Sequence, residues 1–180
     1  MHRRPLLALL RAHRPVDEGE RGSLARIVAF VEENPRCFER SLLSGHVTGS
    51  AWVTSRMDDR VVLVHHGKLG RWLQPGGHAD GDADVARIAW REASEETGLR
   101  SITPAAEAIY DVDVHAIPAH GAESAHFHYD VRFRFFADPD EAPVASAESH
   151  AVRWLGLDEA TRLSAERSVL RMIEKMQRAR

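Results

Sequence analysis

Apolar residues recur with a helical period near the start of the chain. Residues 5–13 and 20–33 carry apolar side chains three and four positions apart, and an Asn-Pro pair ends the second run. The pattern predicts two helices, so we treat residues 1–40 as an N-terminal helical extension and residues 41–180 as the main domain. An extension of this kind could form a homodimer contact or cover a site.

The pattern changes after residue 45 to short apolar or alternating runs, which are typical of strands. In residues 126–137 apolar and aromatic residues alternate with polar ones, which gives that strand two different faces. The predicted strands are residues 46–55, 60–66, 106–119, 126–137 and 150–157, and an extended segment over 71–82 runs into a glycine-rich loop.

Helical periodicity returns in two later segments. Residues 83–97, followed by Gly98 as a stop signal, and residues 164–179 predict helices. The order of elements is therefore helices, strands, a helix, strands and a last helix. This order predicts the α/β class, with a mixed sheet between layers of helices.

The polar face of the strand over residues 126–137 has two open interpretations. His126 and His128 could line a pocket or face solvent. Arg132 continues the same face, where it could bind a phosphate group or belong to a solvated sheet surface.

Length and composition exclude several classes of protein. The chain has 180 residues, which fits one domain, and a net charge of −3, which excludes a polycationic coat for nucleic acid. Its longest apolar runs have about six residues, against ~18 for a membrane span. Cys37 is the single cysteine, so an internal disulfide and a thiolate metal cluster are excluded. We expect a cytoplasmic protein without a membrane or nucleic-acid partner.

Three glutamates share one face of the predicted helix over residues 83–97. Glu92, Glu95 and Glu96 stand at positions i, i+3 and i+4, so their carboxylates repel one another. The arrangement becomes favourable when a hard divalent cation such as Mg²⁺ or Mn²⁺ binds over the face. Arg91 adjoins them and could orient a carboxylate or contact an anionic substrate. A solvated glutamate face is the alternative.

A glycine-rich loop precedes this helix. Gly76 and Gly77 leave the backbone accessible, and the positive end of the helix dipole follows. A diphosphate group could lie there, with metal ions between its oxygens and the glutamates. Loop and helix together favour a phosphate-handling site over a surface feature.

The stretch from Gly77 to Leu99 resembles the Nudix box of the MutT-like Nudix hydrolases, whose pattern is G-x5-E-x7-R-E-U-x-E-E-x-G-U with U aliphatic. The matching positions are Gly77, Arg91, Glu92, Ala93, Glu95, Glu96, Gly98 and Leu99. The resemblance implies a Nudix-type α/β/α sandwich and a metal-dependent hydrolase that cleaves the diphosphate linkage of a nucleoside diphosphate joined to another group. It also implies that Glu95 and Glu96, aided by Glu92, hold Mg²⁺ or Mn²⁺.

One position departs from the family pattern, because Ala83 stands where the box has its isolated glutamate. In the family that glutamate supports the box arginine, so the change concerns the positioning of Arg91. We expect Asp80, Asp82 or Asp84 to take over that role, or one of them to cap the helix.

His78 adds a second, weaker resemblance. A histidine directly after this glycine resembles the type I isopentenyl-diphosphate isomerases, Nudix-fold proteins in which that histidine binds metal and a catalytic cysteine lies shortly before it. This chain has no cysteine there. His78 could instead be an accessory metal ligand, a phosphate contact or a loop residue held by hydrogen bonds.

Three functional hypotheses follow. The first is the diphosphohydrolase, with Glu95, Glu96 or Glu148 accepting the proton from the attacking water and Gly76, Gly77, His78 and Arg132 contacting the substrate. The second is a Nudix-fold module that senses a small ligand. The third is the isomerase. Retention of all three helix glutamates favours the enzyme, because inactive Nudix-fold modules usually lose them.

Overall fold

The computed structural model describes residues 2–119, 121 and 124–178 of the chain. Within them, the helices are α1 (Arg4–Ala12), α2 (Glu18–Glu33), α3 (Val85–Thr97), α4 (Leu157–Leu163) and α5 (Arg167–Arg178). The strands are β1 (Gly45–Thr54), β2 (Arg60–His66), β3 (Arg71–Leu73), β4 (Gly76–His78), β5 (Thr103–Ile117), β6 (His126–Phe136) and β7 (Ser149–Gly156).

The strands form one mixed sheet. Its central order is β3-β2-β1-β6-β5, while β4 pairs with β1 and β7 pairs with β2. β1 and β6 run parallel over ten residue pairs, whereas β5 and β6 run antiparallel. The predicted mixed sheet is confirmed.

Helices cover both faces of the sheet, as the predicted α/β/α sandwich requires. On one face, side chains of α1, α2 and α3 such as Leu10, Ile27 and Ile88 join Val47 and Ala51 of β1 in one buried cluster. On the other, α4 and α5 pack around Trp52, which comes from the opposite side of β1.

The N-terminal extension is part of the same core as the sheet. Phe30 of α2 stacks on Tyr129 of β6 with ring centroids 3.7 Å apart, and Leu6 and Val31 are buried. Asp17 caps α2 by accepting a hydrogen bond from the Glu20 amide at 2.7 Å. The boundary near residue 40 remains a prediction from the sequence, and so does a dimer contact through this segment.

Three local predictions need correction. The extended segment over residues 71–82 contains two short strands, β3 and β4. α4 was not predicted, because its seven residues carry too little periodicity to be distinguished from a loop. α5 begins at Arg167, three residues after the expected start.

Among the residues that the structure describes, the helices all lack the combination of length and apolar content needed to cross a bilayer.

Candidate active site

A cavity of about 1380 Å³ opens beside the α3 end of β4. Its floor is one face of the sheet, built from alternate residues of neighbouring strands. The register pairs His46 with His128, Thr48 with Asp130 and Ser50 with Arg132, while β4 adds His78 opposite Thr48. Parallel pairing of β1 and β6 thus brings together polar side chains that lie far apart in the sequence.

Glu92 and Glu96 of α3 also line this cavity, next to the glycine pair of β4. The Gly76 amide donates a hydrogen bond to Glu96 Oε1 at 3.0 Å. Gly77 has no room for a side chain, since a Cβ atom there would overlap the Glu92 carboxylate. A Cβ atom at Gly76 would overlap Ser50 of β1, so close packing requires glycine at both positions.

The third box glutamate, Glu95, is exposed on α3 and is not among the described residues that line the cavity. The structure therefore brings together Glu92, Glu96 and the predicted glycines, with Glu95 one helix position to the side. Its predicted part in metal binding and catalysis stays a prediction.

The electrostatics of the glutamates are unfavourable without a cation. Burial raises the pKa of Glu96 to about 7, and the negative charges of Glu92, Glu148 and Glu95 add to that effect. The hydrogen bond from the Gly76 amide opposes it. A cluster of mutually repelling carboxylates of this kind fits the donor set that Mg²⁺ or Mn²⁺ takes.

Glu148, the candidate base outside the box, lies at the rim of the cavity. It is exposed, and its backbone carbonyl accepts a hydrogen bond from the Gly67 amide at 3.0 Å. Its charge acts on Glu96, so the structure places the two carboxylates in one electrostatic environment.

Arg91 has a different partner from the one expected. Its Nη2 donates to Glu92 Oε1 at 2.6 Å and, more weakly, to the His78 carbonyl at 3.4 Å. The expectation that Asp80, Asp82 or Asp84 would hold Arg91 is wrong, because Arg91 hydrogen-bonds Glu92 and the His78 carbonyl instead.

The three aspartates have other partners instead. Asp80 pairs with Arg40, and Asp82 pairs with Arg87. Asp84 is the N-cap of α3, accepting from the Arg87 amide at 3.1 Å, as the capping alternative predicted. Arg91 thus positions a box glutamate without the family's supporting residue.

Arg132 does not lie on a solvated sheet face, so that interpretation is corrected. Its guanidinium is 2% exposed and pairs with Asp130 at 2.7 Å, Asp111 at 3.2 Å and Asp113 at 3.5 Å. Thr48 and Ser50 donate hydrogen bonds to Asp130 from the neighbouring strand. Arg132 lines the cavity as part of its floor, where these ion pairs give it a structural role, and its contact with substrate phosphate stays a prediction.

The same ion pairs continue into a buried charge network that sequence reasoning missed. Asp111 of β5 accepts from Arg171 at 2.7 Å and from Lys175 at 2.8 Å, both on α5. Lys175 also contacts Glu20 of α2. The alternation of β5 offered a weak signal, but only the fold shows that α2 and α5 supply the partners.

His126 and His128 line the cavity, which settles the alternative that the strand pattern left open. They lie close to His46 and His78, and sequence reasoning had given His46 no role. Burial lowers the pKa of His46 to about 4 and that of His128 to about 2, with neighbouring histidines adding to the effect. Both imidazoles are therefore neutral at physiological pH.

Comparison with known proteins identifies the family. The NUDIX domain model matches residues 46–176. Since that match spans most of the chain, the protein belongs to the Nudix family, as the box predicted. Membership of this family supports the predicted Nudix hydrolase acting on pyrophosphate bonds. None of the curated proteins compared with the chain matches it.

Solved structures share the fold at low sequence identity. The Ap4A hydrolase of C. elegans, a binary complex, is 16% identical with a TM-score of 0.50, covering 73% of this chain and 96% of its own. The dihydroneopterin triphosphate pyrophosphohydrolase of E. coli is 16% identical with a TM-score of 0.52, covering 72% and 92%. The NUDIX domain of Shewanella oneidensis NrtR, solved with ADP ribose, is 19% identical with a TM-score of 0.51, covering 86% and 97%.

Proposed function

We propose that this protein is a Mg²⁺- or Mn²⁺-dependent pyrophosphohydrolase of a nucleoside diphosphate linked to another group. The observation that carries the proposal is the placement of Glu92 and Glu96 at the cavity, where burial and the neighbouring carboxylates raise the pKa of Glu96 to about 7. The titles of two fold relatives, an Ap4A hydrolase and a dihydroneopterin triphosphate pyrophosphohydrolase, name substrates of the expected chemistry.

In this proposal Glu92 and Glu96, with Glu95 beside them, hold the metal ion. When bound, such an ion neutralises diphosphate charge and promotes deprotonation of the attacking water. Arg91 fixes the Glu92 carboxylate through its 2.6 Å hydrogen bond. The Gly76 amide does the same for Glu96, so both carboxylates have a defined orientation before substrate binds.

The proton acceptor in this proposal is a carboxylate at the cavity rim. Glu148 is accessible to water and lies within the electrostatic reach of Glu96. The Gly76-Gly77 backbone and His78 border the space for a diphosphate group.

The experiment is a substrate panel with Mg²⁺. Nucleoside triphosphates, nucleotide sugars, ADP-ribose and dinucleoside polyphosphates are incubated with the full chain, and release of phosphate, pyrophosphate or monophosphate is scored. We expect turnover of at least one class, abolished by EDTA and by Glu96→Gln. Turnover that persists in metal-free buffer would overturn the proposal.

The panel also separates the alternatives. Tight binding of one compound without turnover would favour a ligand sensor, in line with the ADP-ribose complex of the NrtR domain. The isomerase alternative is disfavoured because Cys37 is buried in the core and does not line the cavity within the described residues. The cytoplasmic location expected from the sequence is part of the same proposal.

A further inference from the structure

Three imidazoles from three different strands meet in the cavity. The ring centroids of His46, His78 and His128 are 5.0, 4.9 and 5.0 Å apart, which makes a nearly equilateral triangle. One nitrogen from each ring lies within 4.8 Å of the others. Each ring is held by a different part of the sheet register, so the triangle is a property of the fold.

The buried member of the triangle lacks partners for its polar atoms. His46 is 4% exposed, and neither of its ring nitrogens has a hydrogen-bond partner among the described residues. A neutral imidazole carries one donor and one acceptor, and burying both unsatisfied is costly. Such an orphaned group in a native fold indicates a bound water or ion.

The triangle has the dimensions of a tris-histidine metal site. With metal–nitrogen distances of about 2.0–2.1 Å and tetrahedral angles, three imidazole centroids lie about 5 Å from one another. The observed centroid spacing agrees with this value. We propose that His46, His78 and His128 bind one divalent transition-metal ion of the Zn²⁺ type.

The donor set separates this site from the glutamate cluster. Imidazole nitrogen is the ligand of Zn²⁺, Cu²⁺, Fe²⁺ and Ni²⁺, whereas Mg²⁺ and Ca²⁺ take oxygen. The proposal therefore concerns a second ion and does not rest on the proposed hydrolase activity. Three protein ligands leave the fourth tetrahedral position for water or an oxygen of a ligand in the cavity.

The surroundings suit an added cation. The positive charge of Arg40 is paired with Asp80, 2.5 Å away, close to His46. His115 hydrogen-bonds Asp113 at 3.2 Å and contacts the His128 ring edge-on. His126 lies 3.4 Å from His128 between ring nitrogens, and its ring centroid is 5.0 Å from that of His46, so a fourth imidazole adjoins the triangle.

The test is metal binding by the tag-free full chain, because an affinity tag of histidines would itself bind the probe. The chain is stripped with EDTA and titrated with Zn²⁺, and Co²⁺ absorption in the visible region reports tetrahedral nitrogen coordination. We expect one Zn²⁺ per chain. His46→Ala, His78→Gln and His128→Ala should each weaken binding at least ~100-fold, since loss of even an outer-shell partner costs about 10–100-fold.

Two controls make the outcome specific. His150→Ala removes an exposed histidine outside the cavity and should keep full affinity. The Glu92→Gln/Glu96→Gln double variant should keep the Co²⁺ spectrum. Zn²⁺ should raise the melting temperature of the wild type and both controls but not that of the histidine variants.

Any one of three results would overturn the proposal. One is a wild type that binds no stoichiometric Zn²⁺ at neutral pH. Another is a folded His78→Gln variant with wild-type affinity; this residue is only half buried, so its substitution avoids the packing cost expected at His46. The third is loss of binding that follows the glutamate variant and spares the histidine variants.

Discussion

Two groups of acidic side chains differ in how the fold compensates their charge: one lies beneath the cavity floor and the other lines the cavity. In the network beneath the floor, Asp111 contacts Arg132, Arg171 and Lys175, so its charge is compensated at every side. On α3, Glu96 receives one backbone hydrogen bond, and its neighbours are other carboxylates.

The difference separates carboxylates that hold the fold from carboxylates that await a ligand. Removing a buried, fully paired charge by mutation lowers stability strongly, because its partners are left as uncompensated buried charges. Removing one negative charge from a cluster of like charges relieves repulsion, so it does not lower the stability of the fold. Such a cluster is favourable only when a cation is bound. Substitutions in the two groups should therefore move different observables.

The largest effect on stability is expected for Asp111→Asn. Three buried cations would lose their common carboxylate, so the free energy of unfolding should fall by about 3–5 kcal/mol. Urea unfolding at pH 7 measures it. The matched control is Glu39→Gln in an exposed pair with Arg36, for which little or no loss is expected because water screens the pair. Equal losses in both variants would contradict the claim that the buried Asp111 network stabilises the fold more than an exposed ion pair does.

The largest effect on activity is expected for Glu96→Gln. The amide keeps the size of the side chain but removes an anionic ligand, so turnover should fall at least ~100-fold, while the free energy of unfolding stays the same or rises. Steady-state rates at limiting Mg²⁺ measure the first effect. Glu107→Gln, at an exposed position on β5, is the control. Near-normal activity would contradict the metal assignment.

Acid should lower the stability of the fold through Glu20, which belongs to the buried charge network. Burial alone would raise its pKa, but hydrogen bonds from His13, Lys175 and the Val16 amide outweigh it and lower the pKa from 4.5 to about 2. Native Glu20 thus stays ionised while the unfolded chain takes up a proton, so this stabilisation is present above pH 4.5 and lost on the way to pH 2.

The measurement is urea unfolding of wild type and Glu20→Gln across that pH range. The stability of the wild type should fall more steeply than that of the variant. Glu18→Gln, in an exposed pair with Arg21, should follow the wild type. Parallel curves for wild type and Glu20→Gln would show that this carboxylate contributes nothing to acid sensitivity.

The smallest effect is expected where the chain leaves the family pattern. Ala83→Glu restores a carboxylate just before α3, where the helix N-terminus favours negative charge by ~0.3–1 kcal/mol. Ala83 also packs partly against the core, which offsets that gain. Melting temperature and Mg²⁺ dependence should change little, because Arg91 is already bonded to Glu92. A large fall in either would show that the loop is specialised around a small residue.

Local patterns predicted the elements whose causes are local. The α3 helix follows from its apolar spacing, the Asp84 cap and Gly98, which adopts a left-handed φ of 67°. The Nudix box led directly to Glu92, Glu96 and the glycine pair. These features depend on neighbours within a turn or two of the chain.

Features that depend on the pairing register of the strands could not be predicted from the sequence. His46 gained its surroundings only because parallel pairing sets it opposite His128, and no local signal marks that pairing. Arg132 looked like a surface residue by alternation, yet aspartates on two strands enclose it. In both cases the deciding contacts come from distant segments.

The parallel pairing of β1 and β6 also bears on how quickly the site can form. Thr48 and Asp130, which meet on the cavity floor, are separated by 82 positions along the chain. Non-local pairing of this kind slows folding, because loop closure must precede the contacts that reward it. During synthesis β1 leaves the ribosome long before β6, so the cavity floor is absent until most of the chain has been made.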